Sequence, residues 1–319
     1  MSFFLSVPIN ENGMIVDPNI GTELRTAATA PFAFTDVFIY SHGWWTTASS
    51  AASEYNIFSI GCARTFQVLV AQDPERYRML CGAFSPLNIA IHWPSMIAET
   101  QNSVANFLEA TSFFTMQHRA DIVGRYAGHS LLRLLIEARR ENPLRLNLIG
   151  HSFGCRVVLS ALQAIAKDPV LCEIANQFEF NVALLQPAAD AESLAQDNAY
   201  GDVQSNIRRL RILVSVSNND IALGTWYPRA QQIAHLFSGS TPAMGLTGPS
   251  GNLFLPVGQR LPVSRSIIPR FTGALGVADL TPLHEWHKSA YGPSGWAGQH
   301  SDINLPQIYE LLAVFFGCP

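Results

Sequence analysis

The residues best suited to chemistry gather around one serine. Gly150-His151-Ser152-Phe153-Gly154 forms G-x-S-x-G directly after the apolar run Arg145-Leu-Asn-Leu-Ile149 and opens a segment of helical character, 153–167. Glycine at both flanks permits a tight strand-to-helix turn whose strained backbone presents a serine hydroxyl at the carboxyl end of a sheet. The helix N-terminus behind it favours developing negative charge. The chemistry this spacing predicts is nucleophilic attack by Ser152. A second Gly-His-Ser, Gly128 to Ser130, has Leu132 in place of the closing glycine and reads as mid-helix.

A serine nucleophile needs a base, and the base needs a carboxylate to orient it. For a serine on such a turn the chain order is serine, acid, histidine. The run Leu210 to Val216 ends in Ser217-Asn-Asn-Asp220, which puts Asp220 in a polar turn where the acid belongs; Asp190 and Asp279 are the rivals. Of nine histidines, His42 and His151 precede the serine. His92, His118, His129 and His235 fit core or surface positions better. His284 and His287 form H-E-W-H, which lacks the i, i+4 spacing of a zinc motif. His300, in the loop Gly298-Gln-His-Ser-Asp-Ile303 before the last helix, is the expected base, with His287 as runner-up. Acyl transfer also needs two backbone N–H donors for the oxyanion. Phe153 follows the nucleophile, and Trp44 follows Gly43 in the early turn Tyr40-Ser-His-Gly-Trp-Trp45. Trp45, Trp93 and His151 are expected to touch substrate. Nothing in the pattern implies a metal or an organic cofactor.

The elements that must hold these residues alternate. Short apolar runs at 36–40, 88–92, 145–149, 178–186 and 210–216 read as buried parallel strands. Helical segments at 48–71, 101–141, 153–167 and 303–316 separate them. Asn304 is a candidate N-cap for the last helix and Gly317 its stop. The alternation predicts a single α/β domain over 1–319 with a mostly parallel sheet flanked by helices. Residues 236–276, rich in Gly, Pro, Ser and Thr, break the rhythm and read as a long connection.

The set His42-Gly-Trp44, Gly150 to Gly154, Asn218-Asn-Asp220 and His300-Ser-Asp-Ile303 resembles the α/β-hydrolase superfamily of serine esterases and lipases. His92-Trp-Pro-Ser95 and Gln186-Pro-Ala-Ala-Asp190 are similar to motifs of a bacterial branch carrying Trp-Pro-Ser and Ala-Pro-Asp. The match spans 36–316. His-Gly-Trp-Trp departs from the His-Gly-Gly-Gly of one esterase branch, and the interval from Asp220 to His300 exceeds what the minimal fold requires. A cap or lid insertion over 223–270, between acid and histidine, accounts for it. The resemblance implies hydrolysis of carboxylic esters through an acyl-enzyme on Ser152. The same triad serves acyltransferases, thioesterases and amidases, whereas a non-catalytic binding module needs none.

Composition narrows the partners. Charged residues make up 14% of 319 and apolar ones 48%, with a net charge of −4. That charge supplies no basic footprint for nucleic acid, and no apolar run is long enough to span a bilayer. Five cysteines without a C-x-x-C pair, and an N-terminus lacking Lys and Arg, predict a cytoplasmic protein in a reducing compartment. The shortage of charge is local: 37–53, 79–98, 230–259 and 289–301 contain no Asp, Glu, Lys or Arg. These stretches predict an apolar rim around the site, with Leu253, Phe254 and Leu255 on it. Such a rim suits a hydrophobic small-molecule ester or a second subunit of a homo-oligomer.

Overall fold

The computed structural model describes residues 3–29, 34–44, 46–82, 84–96, 110–228, 241–292 and 299–318. Among the described residues eight strands form one sheet: β1 (Phe3–Pro8), β2 (Asp36–Ser41), β3 (Pro86–His92), β4 (Arg145–His151), β5 (Glu179–Leu185), β6 (Leu210–Val216), β7 (Val257–Pro262) and β8 (Leu275–Asp279). Their order is β1-β3-β2-β4-β5-β6-β8-β7, and every adjacent pair is parallel. The protein is therefore an α/β fold, and its sheet is wholly rather than mostly parallel.

Side chains alternate between two cores, as a strand's period of two requires. Val37, Ile39, Leu146, Leu148, Val182 and Val214 face one core. There they meet α1 (Ile20–Thr29), α3 (Ala110–Val123), α4 (His129–Ala138) and α5 (Gly154–Ala166). Phe38, Tyr40, Ile149, Ala183 and Leu213 face the other core. That side is covered by α2 (Ala48–Gln72), α9 (Thr281–Tyr291) and α10 (Pro306–Gly317). The shorter helices α6 (Pro169–Ala175), α7 (Gly201–Asn206) and α8 (Met244–Thr247) fill the connections. Burial on both faces explains why the central strands read as near-continuous apolar runs.

Several elements differ from the sequence expectations. The helix expected over 101–141 is α3 and α4 joined through a π-helical turn, Gly124–Gly128; its stretch 101–109 lies outside the described residues. The last helix is capped at Leu305 with Pro306 in its first turn, and Asn304 instead accepts a hydrogen bond from the Tyr309 hydroxyl. The Gly/Pro-rich connection contains β7 and β8. As an outer strand β7 leaves most of its side chains partly or fully exposed and tolerates Gly258 and Pro262, which hides it from an apolar pattern. Within the stretch read as a cap, 229–240 lie outside the described residues. Ala243 and Met244 are buried, and the backbone of 244–245 bonds to Ala189 and Pro187 beyond β5.

The chain runs outward from β2 to β3, returns to the sheet centre at β4, then runs the other way through β5 and β6. The strand order thus reverses between β2 and β4. The carboxyl ends beside such a reversal form the crevice of an open α/β sheet. Ser41 and His151 end those two strands.

Candidate active site

Ser152 follows β4 and takes φ +54, a left-handed conformation that costs a non-glycine residue about 1–2 kcal/mol. Backbone bonds hold it there. Its N–H donates to the Leu185 carbonyl at 3.0 Å, and its carbonyl accepts from Cys155 at 3.1 Å and Ala188 at 3.2 Å. The turn tolerates no side chain at Gly154, where a Cβ would lie 2.1 Å from the Ser41 carbonyl. The first turn of α5 is thereby drawn against the end of β2. From that end Gly43 approaches the serine so closely that a Cβ on it would lie 2.9 Å from the Ser152 Cβ.

Asp220 and His300 meet although far apart in sequence. The His300 ring donates from Nδ1 to Asp220 Oδ2 at 2.6 Å, which leaves Nε2 as the nitrogen with a free lone pair. Asp220 is 1% exposed. Its Oδ1 accepts from the Leu223 N–H at 2.9 Å, and its Oδ2 also accepts from the Gln186 amide at 2.8 Å. His300 itself rides on a 3₁₀ turn, Gln299–Asn304, ahead of α10. The His151 ring lies 5.0 Å from the His300 ring, so the segments carrying Ser152 and His300 are neighbours.

The rivals are engaged elsewhere. The Asp190 carboxylate accepts the Tyr227 hydroxyl at 2.7 Å. Asp279 accepts from Arg260 Nε at 2.8 Å and the Thr281 N–H at 2.9 Å. His287 has its own carboxylate, with Nδ1 2.8 Å from Asp302 Oδ2.

Of the residues expected to touch substrate, Trp45 lies outside the described residues. Trp93 is 3% exposed, stacks on His42 at 5.4 Å between centroids, and donates from its indole to the His42 carbonyl at 3.1 Å. It buttresses the loop after β2. His151 is also committed inward: its Nε2 donates to the His300 carbonyl at 2.9 Å, tying the residue before Ser152 to the backbone of His300. Leu253 and Leu255 pack half-buried on the core, while Phe254 is exposed.

The expected oxyanion residues stand side by side. The Trp44 and Phe153 rings meet edge-on at 5.6 Å, and Phe113 touches both, at 6.0 and 5.1 Å. His42 fixes the loop between them. Its Nδ1 donates to the Gly43 carbonyl at 2.8 Å, and its Nε2 lies 3.4 Å from the Trp93 N–H. Burial lowers His42 to about 4, so it stays neutral. His151 falls to about 3, through burial first and the neighbouring His300 second. His284, whose Nδ1 lies 2.8 Å from Ser217 Oγ, falls to about 4 by burial.

Two contributors escaped the sequence. The Tyr55 hydroxyl of α2 sits between the Tyr40 and Ile91 carbonyls, sharing its one proton between them, and clamps the ends of β2 and β3. Gln186 reaches Asp220 from the end of β5; the one available signal was a glutamine directly after an apolar strand. No protein-family model matches the chain.

Proposed function

We propose that the protein is a serine hydrolase of the α/β-hydrolase fold that cleaves carboxylic esters of hydrophobic substrates through an acyl-enzyme. One observation carries the reading. An aspartate and a histidine in the order the chemistry requires meet at 2.6 Å on the sheet edge where a strained serine sits between close-packed glycines.

In this mechanism Ser152 Oγ attacks the ester carbonyl while His300 Nε2 accepts its proton. Asp220 holds the proton-bearing Nδ1 and stabilises the imidazolium. The tetrahedral oxyanion is met by the N–H groups of Trp44 and Phe153, the latter at the start of α5, where backbone donors lack intrahelical partners. His300 then delivers its proton to the leaving alkoxide, and water attacks the acyl-serine by the reverse path. The aromatic group of Trp44, Phe113 and Phe153 beside the serine supports an apolar acyl or alcohol portion.

Labelling with a fluorophosphonate probe tests the reading. The wild type should label at Ser152 and hydrolyse short aryl esters. A folded wild type that does neither overturns it.

A further inference from the structure

We propose that Gln186 is a positioning residue that sets both the geometry and the charge balance of the Asp220–His300 pair. The proposal rests on the serine-hydrolase reading of that pair. Gln186 is fully buried and takes φ +45, the second non-glycine residue after Ser152 to be held in the left-handed region at this sheet edge. Its backbone N–H donates to Ser215 Oγ of β6 at 2.8 Å. That bond turns the side chain across the end of β6 toward the acid.

The amide nitrogen then spends both its protons on the site. One goes to Asp220 Oδ2 at 2.8 Å, the oxygen that also accepts from His300; the other is directed to the carbonyl of Gln299, the residue before the base, at 3.4 Å. The amide's own oxygen is buried and finds no partner among the described residues. Turning the amide over would aim that oxygen at a carboxylate and a carbonyl, so the orientation is fixed by its acceptors. One side chain therefore links the end of β5, the acid turn after β6 and the segment carrying the base.

A donor on Asp220 Oδ2 draws off part of the negative charge that faces the imidazole. Removing it leaves a more negative carboxylate against His300, which favours the imidazolium. The acid limb of kcat/KM then moves to higher pH, and kcat falls as the pair loosens. The other titratable groups around the pair are His151 on the His300 side, His284 beside Ser217, and the His287–Asp302 couple. None of them changes in the variants below.

Gln186→Met keeps the volume without the donor, and Gln186→Glu keeps the shape but adds a second negative group. The positioning role predicts a graded series. Met lowers kcat about tenfold to a hundredfold, as loss of one hydrogen bond to a charged group does, with KM nearly constant. Glu lowers it further, and the acid limb rises in the order wild type, Met, Glu. Ser215→Ala, which removes only the anchor of the Gln186 N–H, gives a smaller shift in the same direction and serves if the Met variant does not fold. A role in packing alone predicts Glu no worse than Met and an unmoved acid limb, and that result overturns the proposal. Fluorophosphonate labelling of the wild type separates the failures. An unlabelled wild type defeats the hydrolase reading, whereas a labelled wild type with an unmoved pH profile in all three variants defeats only the role of Gln186.

Discussion

The chain contains Gly-His-Ser twice, and the two copies lead opposite lives. Gly128 to Ser130 joins a π-helical turn to α4 with ordinary helical dihedrals, φ −59 and ψ −45 at Gly128, and its serine is exposed. Gly150 to Ser152 leaves β4 for α5, and its serine is buried at φ +54. Even the glycines do different work. Gly128 lets α4 approach α5, where a Cβ would lie 2.9 Å from that of Ala161, while Gly150 lets the turn close on the backbone of Cys155 and Gly154 lets that turn press against the end of β2. On a helix the identical tripeptide takes ordinary helical backbone and leaves its serine facing solvent. A strand before it and a second glycine after it, where the other copy has Leu132, are what hold Ser152 in a left-handed turn at the end of β4.

The largest expected contrast is in activity. Ser152→Ala should abolish fluorophosphonate labelling and lower esterase kcat/KM by about 10³-fold or more, with the fold intact by circular dichroism. Retained labelling would place the reactive group elsewhere and dissolve the distinction between the two copies.

Backbone comes next. A methyl group at Gly154 meets the Ser41 carbonyl at 2.1 Å and the His42 carbonyl at 2.5 Å, both main chain and both fixed by the sheet edge. Gly154→Ala should therefore lose about 3 kcal/mol of stability in denaturant unfolding, together with labelling. Gly128→Ala presses one methyl against another and gains helix propensity, so its loss should be well under half as large. Equal losses would mean that the turn is no more constrained than the helix contact.

The two histidines differ by burial. His151 is lowered to about 3 in the folded protein, against about 6.5 in an unfolded chain. Its folded value is the depressed one, so below about pH 6.5 the unfolded state binds the proton first. Its contribution to stability is present above that pH and is lost progressively toward pH 3. His151→Asn should flatten the fall of unfolding free energy between pH 6 and 4 by up to one proton, about 1.4 kcal/mol per pH unit. His129 is lowered too, by burial and then by Arg133, but its side chain is only half-buried, and replacing it should flatten the curve less.

How much of this was legible follows from which residues act alone. The five central strands were readable because each is apolar on both faces, and Ser152, Asp220 and His300 because a turn, a strand end and a pre-helix loop each leave local marks. β1 and β8 were not: Phe3–Pro8 holds a serine and ends in proline, and Leu275–Asp279 holds a glycine and follows a turn-rich stretch. Trp93 and His151 were legible as members of the loops around Ser152 but not as inward-facing side chains, since the partners that turn them, His42 and the His300 carbonyl, are 51 and 149 positions away. Gln186 left the faintest mark. Its importance lies in a backbone conformation and two acceptors that only the folded sheet edge brings within reach.

The smallest expected effect isolates context from composition. Ser130 lies in the first turn of α4, exposed, with Arg133 and Glu137 forming a 2.7 Å ion pair along the helix that begins beside it. Alanine has the higher helix propensity, and an exposed serine away from a cap satisfies its hydroxyl with water. Ser130→Ala should therefore change unfolding free energy by no more than about 0.5 kcal/mol and leave kcat/KM at the wild-type value. Any loss of activity beyond about twofold would mean that the first Gly-His-Ser communicates with the second through the Gly128–Ala161 contact on α5, and that the inert copy is not inert.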